Sequence, residues 1–111
     1  MKVAIVGSRN LTNVDISEFI PAGTREIVSG GAAEIDTLAE KWADKNRISK
    51  TVIRPEYSKY GRSAPLVRNK EIVQRADVVV AIWDGKSRGT KYTIEYARQA
   101  GKQVKVHILE E

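Results

Sequence analysis

From Asp77 the chain runs through Val78, Val79, Val80, Ala81, Ile82 and Trp83 without a polar residue, then breaks into Asp84-Gly85-Lys86-Ser87-Arg88-Gly89-Thr90. An apolar run this short and this rich in β-branched types reads as a strand buried on both faces, the pattern of a central strand in a parallel sheet. Parallel neighbours need long crossover connections, so the remaining chain must alternate strands with helices.

The segment that follows this strand holds two glycines, two cations and two hydroxyls before a helix expected from Thr90 to Gly101. A helix start has unpaired backbone N–H groups and the positive end of the helix dipole, which makes it a natural anion site. Gly89 lets a ligand approach the backbone, Thr90 is suited to cap the helix or donate its hydroxyl, and Lys86 and Arg88 add charged donors. A solvated turn explains the loop alone equally well, so the rest of the chain decides.

In chain order, Lys2 to Val6 is a first strand ending in Gly7-Ser8-Arg9-Asn10. Thr12 to Ile20 reads as a short helix, with Thr12 and Asp15 as its capping box and Pro21 as its end. Arg25 to Val28 is a second strand, and Ser29-Gly30-Gly31-Ala32 leads into a helix reaching about Asn46, whose buried stripe is Ile35, Leu38, Ala39, Trp42 and Ala43. Asp36, one turn into that helix, is placed either to accept a ribose hydroxyl or to interact with the helix N-terminus.

Thr51 to Arg54 is a third strand stopped by Pro55, and Glu56 to Ser63 is a polar loop with Tyr57, Tyr60 and Arg62 around Gly61. Ala64 to Ala76 is the next helix, with Leu66, Ile72, Val73 and Ala76 on its apolar face and Asn69 at the centre of that face. A buried amide needs a hydrogen-bond partner, here a ligand or the backbone of the Gly7 or Gly85 turn. Arg68 is expected to project towards the rim. In the last helix Ile94, Ala97, Ala100 and Gly101 are the expected inner face, and Val104 to Leu109 is the final strand before an acidic tail. Trp42 reads as core, Trp83 as a core plug or a stacking platform for a base, and His107 as ordinary strand packing.

At 111 residues with 41% hydrophobic content, the chain suits one domain, 1–111, with a single core. Cysteine is absent and histidine occurs once, which removes thiol nucleophiles, disulfides and most metal-ligand sets. No metal site is expected and no cofactor is required beyond a bound phosphorylated ligand. There is no long apolar run and no leader-like start, so no membrane association and a cytoplasmic location are expected. The net charge of +5 favours anionic partners without choosing among them.

Five strands alternating with four helices point to a doubly wound, Rossmann-like parallel α/β sheet with helices on both faces. The predicted strand order is 3-2-1-4-5. Ligands of such sheets bind outside the carboxyl ends where the strand order reverses, here between the first and fourth strands. The G-x-G-x-x-G dinucleotide fingerprint is missing after the first strand, so a nicotinamide dehydrogenase is not supported.

Taken together, Gly7-Ser8-Arg9, Ser29-Gly30-Gly31-Ala32 with Asp36, Tyr60-Gly61-Arg62, Arg68-Asn69, Ala76-Asp77 and Gly85-Lys86-Ser87-Arg88-Gly89-Thr90 resemble the SLOG superfamily. That Rossmann-like group includes the DNA-processing protein Smf/DprA and the LOG phosphoribohydrolases, and this chain is most similar to its small stand-alone YspA/YpsA-related branch. The resemblance implies a pocket for a nucleotide or related phosphorylated ligand, with Gly89 and Thr90 at the phosphate. It also implies a homodimer. The LOG enzymes cleave the N-glycosidic bond of nucleoside monophosphates with an arginine, matched by Arg68, and a glutamate three residues beyond the glycine-threonine pair. That second position is Thr93 here. Glu95, two residues on, is rotated by about 200° and faces solvent.

The expected ligand site therefore comprises Gly7, Ser8, Arg9, Ser29, Gly30, Gly31, Asp36, Arg62, Arg68, Asn69, Asp84, Gly85, Ser87, Arg88, Gly89 and Thr90, with Arg68 and Asp84 as the catalytic candidates. Binding or sensing of a nucleotide-derived ligand is the leading expectation. A nucleoside monophosphate phosphoribohydrolase and a single-strand nucleic-acid-binding protein are the alternatives.

Overall fold

Side chains alternate along a strand, and in this chain both sets are apolar in the central strands. Val3, Ile5, Val78, Val80 and Ile82 join one core layer, while Ala4, Val6, Val79 and Ala81 join the other. Such strands require a cover on each side. A computed structural model describes residues 1–109; the acidic tail at Glu110 and Glu111 lies outside the described residues.

The strands are β1 (Lys2–Gly7), β2 (Glu26–Ser29), β3 (Ser49–Val52), β4 (Val78–Trp83) and β5 (Gln103–Ile108). All neighbours pair in parallel in the order β3-β2-β1-β4-β5, as expected. Helix α1 (Glu34–Lys45) covers one face through Ile35, Ala39 and Ala43, and helices α3 (Ala64–Arg75) and α4 (Arg88–Gln99) cover the other through Ile72, Val73, Ile94 and Ala97. The chain thus changes faces on leaving β3, and the strand order reverses between β1 and β4. In that pair Gly7 stands opposite Ile82.

Several elements differ from their sequence reading. In place of a helix from Thr12 to Ile20 there is one 3-10 turn, Ile16–Phe19. Asp15 caps it by accepting from the backbone N and hydroxyl of Ser17 at 3.2 and 2.6 Å, and Asn13, at φ 55°, interrupts any helical path from Thr12. Strand β3 ends at Val52 rather than reaching Arg54, because the register with β2 ends at Ser29 and the Arg54 guanidinium turns to bond Gly31 O at 2.8 Å. The expected Glu56–Ser63 loop contains a short helix, α2 (Tyr57–Tyr60), and a 3-10 turn, Gly61–Ser63.

Two helix faces are also redrawn. Leu66 is 39% exposed, and the buried residues of α3 are Ala64, Arg68, Ile72 and Val73. Ala100 and Gly101 are exposed, and α4 buries Thr90, Thr93, Ile94 and Ala97. Trp42 packs against the core, and His107 lies against the Phe19 ring with centroids 4.7 Å apart. Among the described residues no helix is long and apolar enough to cross a membrane.

Candidate functional site

The carboxyl ends of β1, β2 and β4 open onto one cleft of about 470 Å³, walled by the loop after each strand, the start of α4 and one side of α3. Small-molecule sites typically span roughly 300–1,000 Å³. Of the expected residues, Gly7, Arg9, Gly30, Asp36, Arg68, Asn69, Asp84, Ser87, Arg88, Gly89 and Thr90 line it. The other five do not line it.

Ser8 is buried beneath the cleft, with its backbone N bonded to Ile82 O at 3.0 Å. Ser29 points under α1 and donates to Glu40 at 2.8 Å. Gly31 holds Arg54, Arg62 is exposed on its 3-10 turn, and Gly85 lies on the outer side of its turn near Ile108. Val6, Asn10, Ala32, Ala33, Pro65, Leu66, Ile72 and Thr93 line the cleft as well, beyond the expected site residues. Asn10 continues the Gly7-Ser8-Arg9 turn and was legible as its neighbour; the small and apolar members carry no chemical signal.

The β4–α4 loop is held by Asp84. Its Oδ1 accepts the backbone N–H groups of Lys86 and Ser87 at 2.8 and 2.7 Å and the Ser8 hydroxyl at 3.2 Å, and its Oδ2 accepts the Ser87 hydroxyl at 2.9 Å. These donors, led by the Ser87 backbone, hold the carboxyl well below the usual carboxylate range. A carboxylate so occupied braces the loop and is a poor proton acceptor. The Ser8 oxygen also accepts from Asp84 N at 3.1 Å and lies 3.4 Å from the Thr90 hydroxyl, which ties the two strands at the switch point.

Ser87 is the N-cap of α4, but the Ser87 hydroxyl is directed to Asp84, and no side chain caps the helix. The amides of Arg88, Gly89 and Thr90 are left for whatever occupies the cleft. A Cβ built on Gly89 meets nothing within 4 Å, so the approach to these amides is open. Trp83 supports the loop from below, its indole N–H donating to Ser87 O at 3.0 Å.

Arg68 does not project to the rim. It is 8% exposed, its Nη1 donates to Gly30 O, and its Nε donates to Asn69 Oδ1 at 2.8 Å. This supplies the Asn69 partner: a neighbouring guanidinium, not the Gly7 or Gly85 backbone. Gly30 makes the seat possible, since a Cβ there would fall 2.6 Å from Arg68 Nη1. Burial lowers the Arg68 pKa, with nearby Arg9 acting in the same sense and Asp36 and Tyr57 opposing it. None of the ion pairs among the described residues includes Arg68.

On α1, Asp36 Oδ2 accepts the backbone N–H groups of Ala32 and Ala33, each at 3.0 Å, so the carboxylate reaches back to the helix start. On α4, the Thr93 hydroxyl donates to Gly89 O at 3.0 Å, and Glu95 is exposed beside Lys91 at 4.0 Å. The α4 helix therefore directs no carboxylate towards Arg68. Among the described residues no group of three or more His, Cys, Asp or Glu could hold a metal.

Fold and cleft together define a doubly wound α/β protein with a polar, cation-bearing crevice at its switch point. No family model matches the chain, and no solved structure matches it. The chain is similar to the Gene 61 protein of Mycobacterium phage D29, with 33% identity in an 81-residue alignment that covers 68% of this chain. The matched stretch spans 65% of that relative's length.

Proposed function

We propose that the protein binds a nucleotide or a nucleotide-derived phosphorylated ligand in this cleft. The observation that carries the reading is Arg68. A cation removed from water without a carboxylate partner is costly, and an anionic ligand offsets that cost. Its Nη2 has no protein partner, yet no buried side-chain nitrogen or oxygen among the described residues lacks one, so Nη2 is open to the cleft. The uncapped start of α4, with Arg88 beside it, offers a second set of donors suited to phosphate.

The resemblance of these segments to the SLOG superfamily points the same way. A cytoplasmic location, where nucleotides are held, is part of the proposal. Binding or sensing is favoured over turnover because Thr93 stands where the hydrolases it resembles have their glutamate and because both oxygens of the Asp84 carboxylate already accept hydrogen bonds that brace the loop.

The test is calorimetric titration with the four ribonucleoside monophosphates, ADP-ribose and the matching unphosphorylated nucleosides. Saturable binding is expected for phosphorylated members only. Gly89→Leu, whose side chain enters open space above the amides, should abolish it without unfolding the protein. No heat from any phosphorylated probe would overturn the reading.

A further inference from the structure

Asp36 is 7% exposed and lines the cleft, and its two oxygens are used unequally. Oδ2 takes both amides at the α1 start, while Oδ1 has no protein partner. Because no buried side-chain oxygen among the described residues is left unpaired, Oδ1 is not sealed away but faces the cleft. The two amides fix its direction. A capping acid on an open surface would leave its second oxygen to bulk water; this one faces a ligand-sized space from a residue that is more than nine-tenths buried.

An ionised carboxylate only accepts hydrogen bonds, and it repels phosphate. The phosphate end of a ligand therefore belongs with Arg88, Gly89 and Thr90, and the Asp36 end requires a neutral group with an O–H to give. The cleft, at about 470 Å³, also holds far more than a phosphate ion needs. We propose that Asp36 reads the sugar of the ligand: its Oδ1 accepts a ribose hydroxyl, so the cleft selects ribonucleotides over their deoxy counterparts. This rests on the phosphate-binding reading above and adds a specificity-determining residue to it.

Asp36→Asn separates the two roles of the carboxylate. The amide oxygen still accepts from Ala32 and Ala33, while the oxygen facing the cleft becomes an N–H donor. The probes are the four ribonucleoside 5′-monophosphates, their 2′-deoxy and 2′,3′-dideoxy counterparts, and inorganic phosphate. Wild type should bind the best ribonucleotide about tenfold or more tightly than its dideoxy form, the effect expected of a hydrogen bond to a charged group. Asp36→Asn should lose that preference and keep its affinity for inorganic phosphate. The comparison of sugars in wild type needs no variant, so a misfolded Asp36→Asn would not leave the question open. Binding of phosphorylated probes with no preference among sugars would overturn this inference alone. Binding of no probe at all, phosphate included, would overturn the phosphate reading and this one with it.

Discussion

The Arg68 guanidinium occupies the space where a side chain on Gly30 would be: a Cβ on Gly30 would lie 2.6 Å from Nη1 and 2.9 Å from Cζ. Gly30→Ala should therefore expel the guanidinium and break its bond to Gly30 O, a charge-assisted contact of about 1.5–3 kcal/mol. Titration should show at least about tenfold weaker nucleotide binding, while urea unfolding shows a smaller change, since the freed arginine can reach water.

Gly7 is constrained by the core instead. A Cβ there would fall 2.6 to 2.8 Å from Cγ1, Cβ and Cγ2 of Ile35, which is fully buried. Gly7→Ala is predicted to lower stability by about 1–3 kcal/mol through overpacking. Adding Ile35→Val should recover part of that loss in the same denaturation experiment, a coupling expected of touching residues.

The depressed pKa of Asp84 gives stability a pH dependence. The folded value lies below the unfolded one, near 3.9, so the contribution is present above that value and is lost as pH falls through the folded pKa. Glu26, lowered by its hydrogen bond with Arg75, acts in the same direction from a half-buried site. Unfolding midpoints measured from pH 7 down to pH 2.5 should fall steeply below about pH 4. Asp84→Asn should flatten that acid limb more than Glu26→Gln does.

An unpaired buried cation also predicts a specific ion effect. Phosphate should raise the Tm of wild type progressively, following the logarithm of its concentration over Kd, whereas chloride at equal ionic strength should not. In Arg68→Met the phosphate response should be weakened or lost. Thermal scans in the two salts check this directly.

The sheet was legible because its signal is local. The doubly apolar run Val78–Trp83 and the short strands ending at Gly7 and Ser29 each announce a buried parallel strand, and the order of elements leaves few topologies. The cleft was legible in outline for the same reason, since its walls are the segments that follow those strands. What escaped depends on side chains meeting across the fold. Helical spacing alone cannot say that Arg68 folds inward onto Gly30, because the space comes from a glycine 38 positions away. Nor can it say that Ser87 serves Asp84 and not its own helix. The false helix at Thr12 has a simpler cause: Thr12 and Asp15 form no capping box, since Asp15 is itself the N-cap of the later turn and the positive-φ residue Asn13 separates the two.

In the proposed complex the first amides of α4 and the Arg68 guanidinium engage the same phosphorylated ligand. Proton–nitrogen correlation spectra recorded during titration with a ribonucleoside monophosphate test it most directly. The backbone amides of Arg88, Gly89 and Thr90 and the Arg68 side-chain signal should move together along one saturable curve. Signals that stay fixed there, or that move only on exposed lysines away from the cleft, would contradict it.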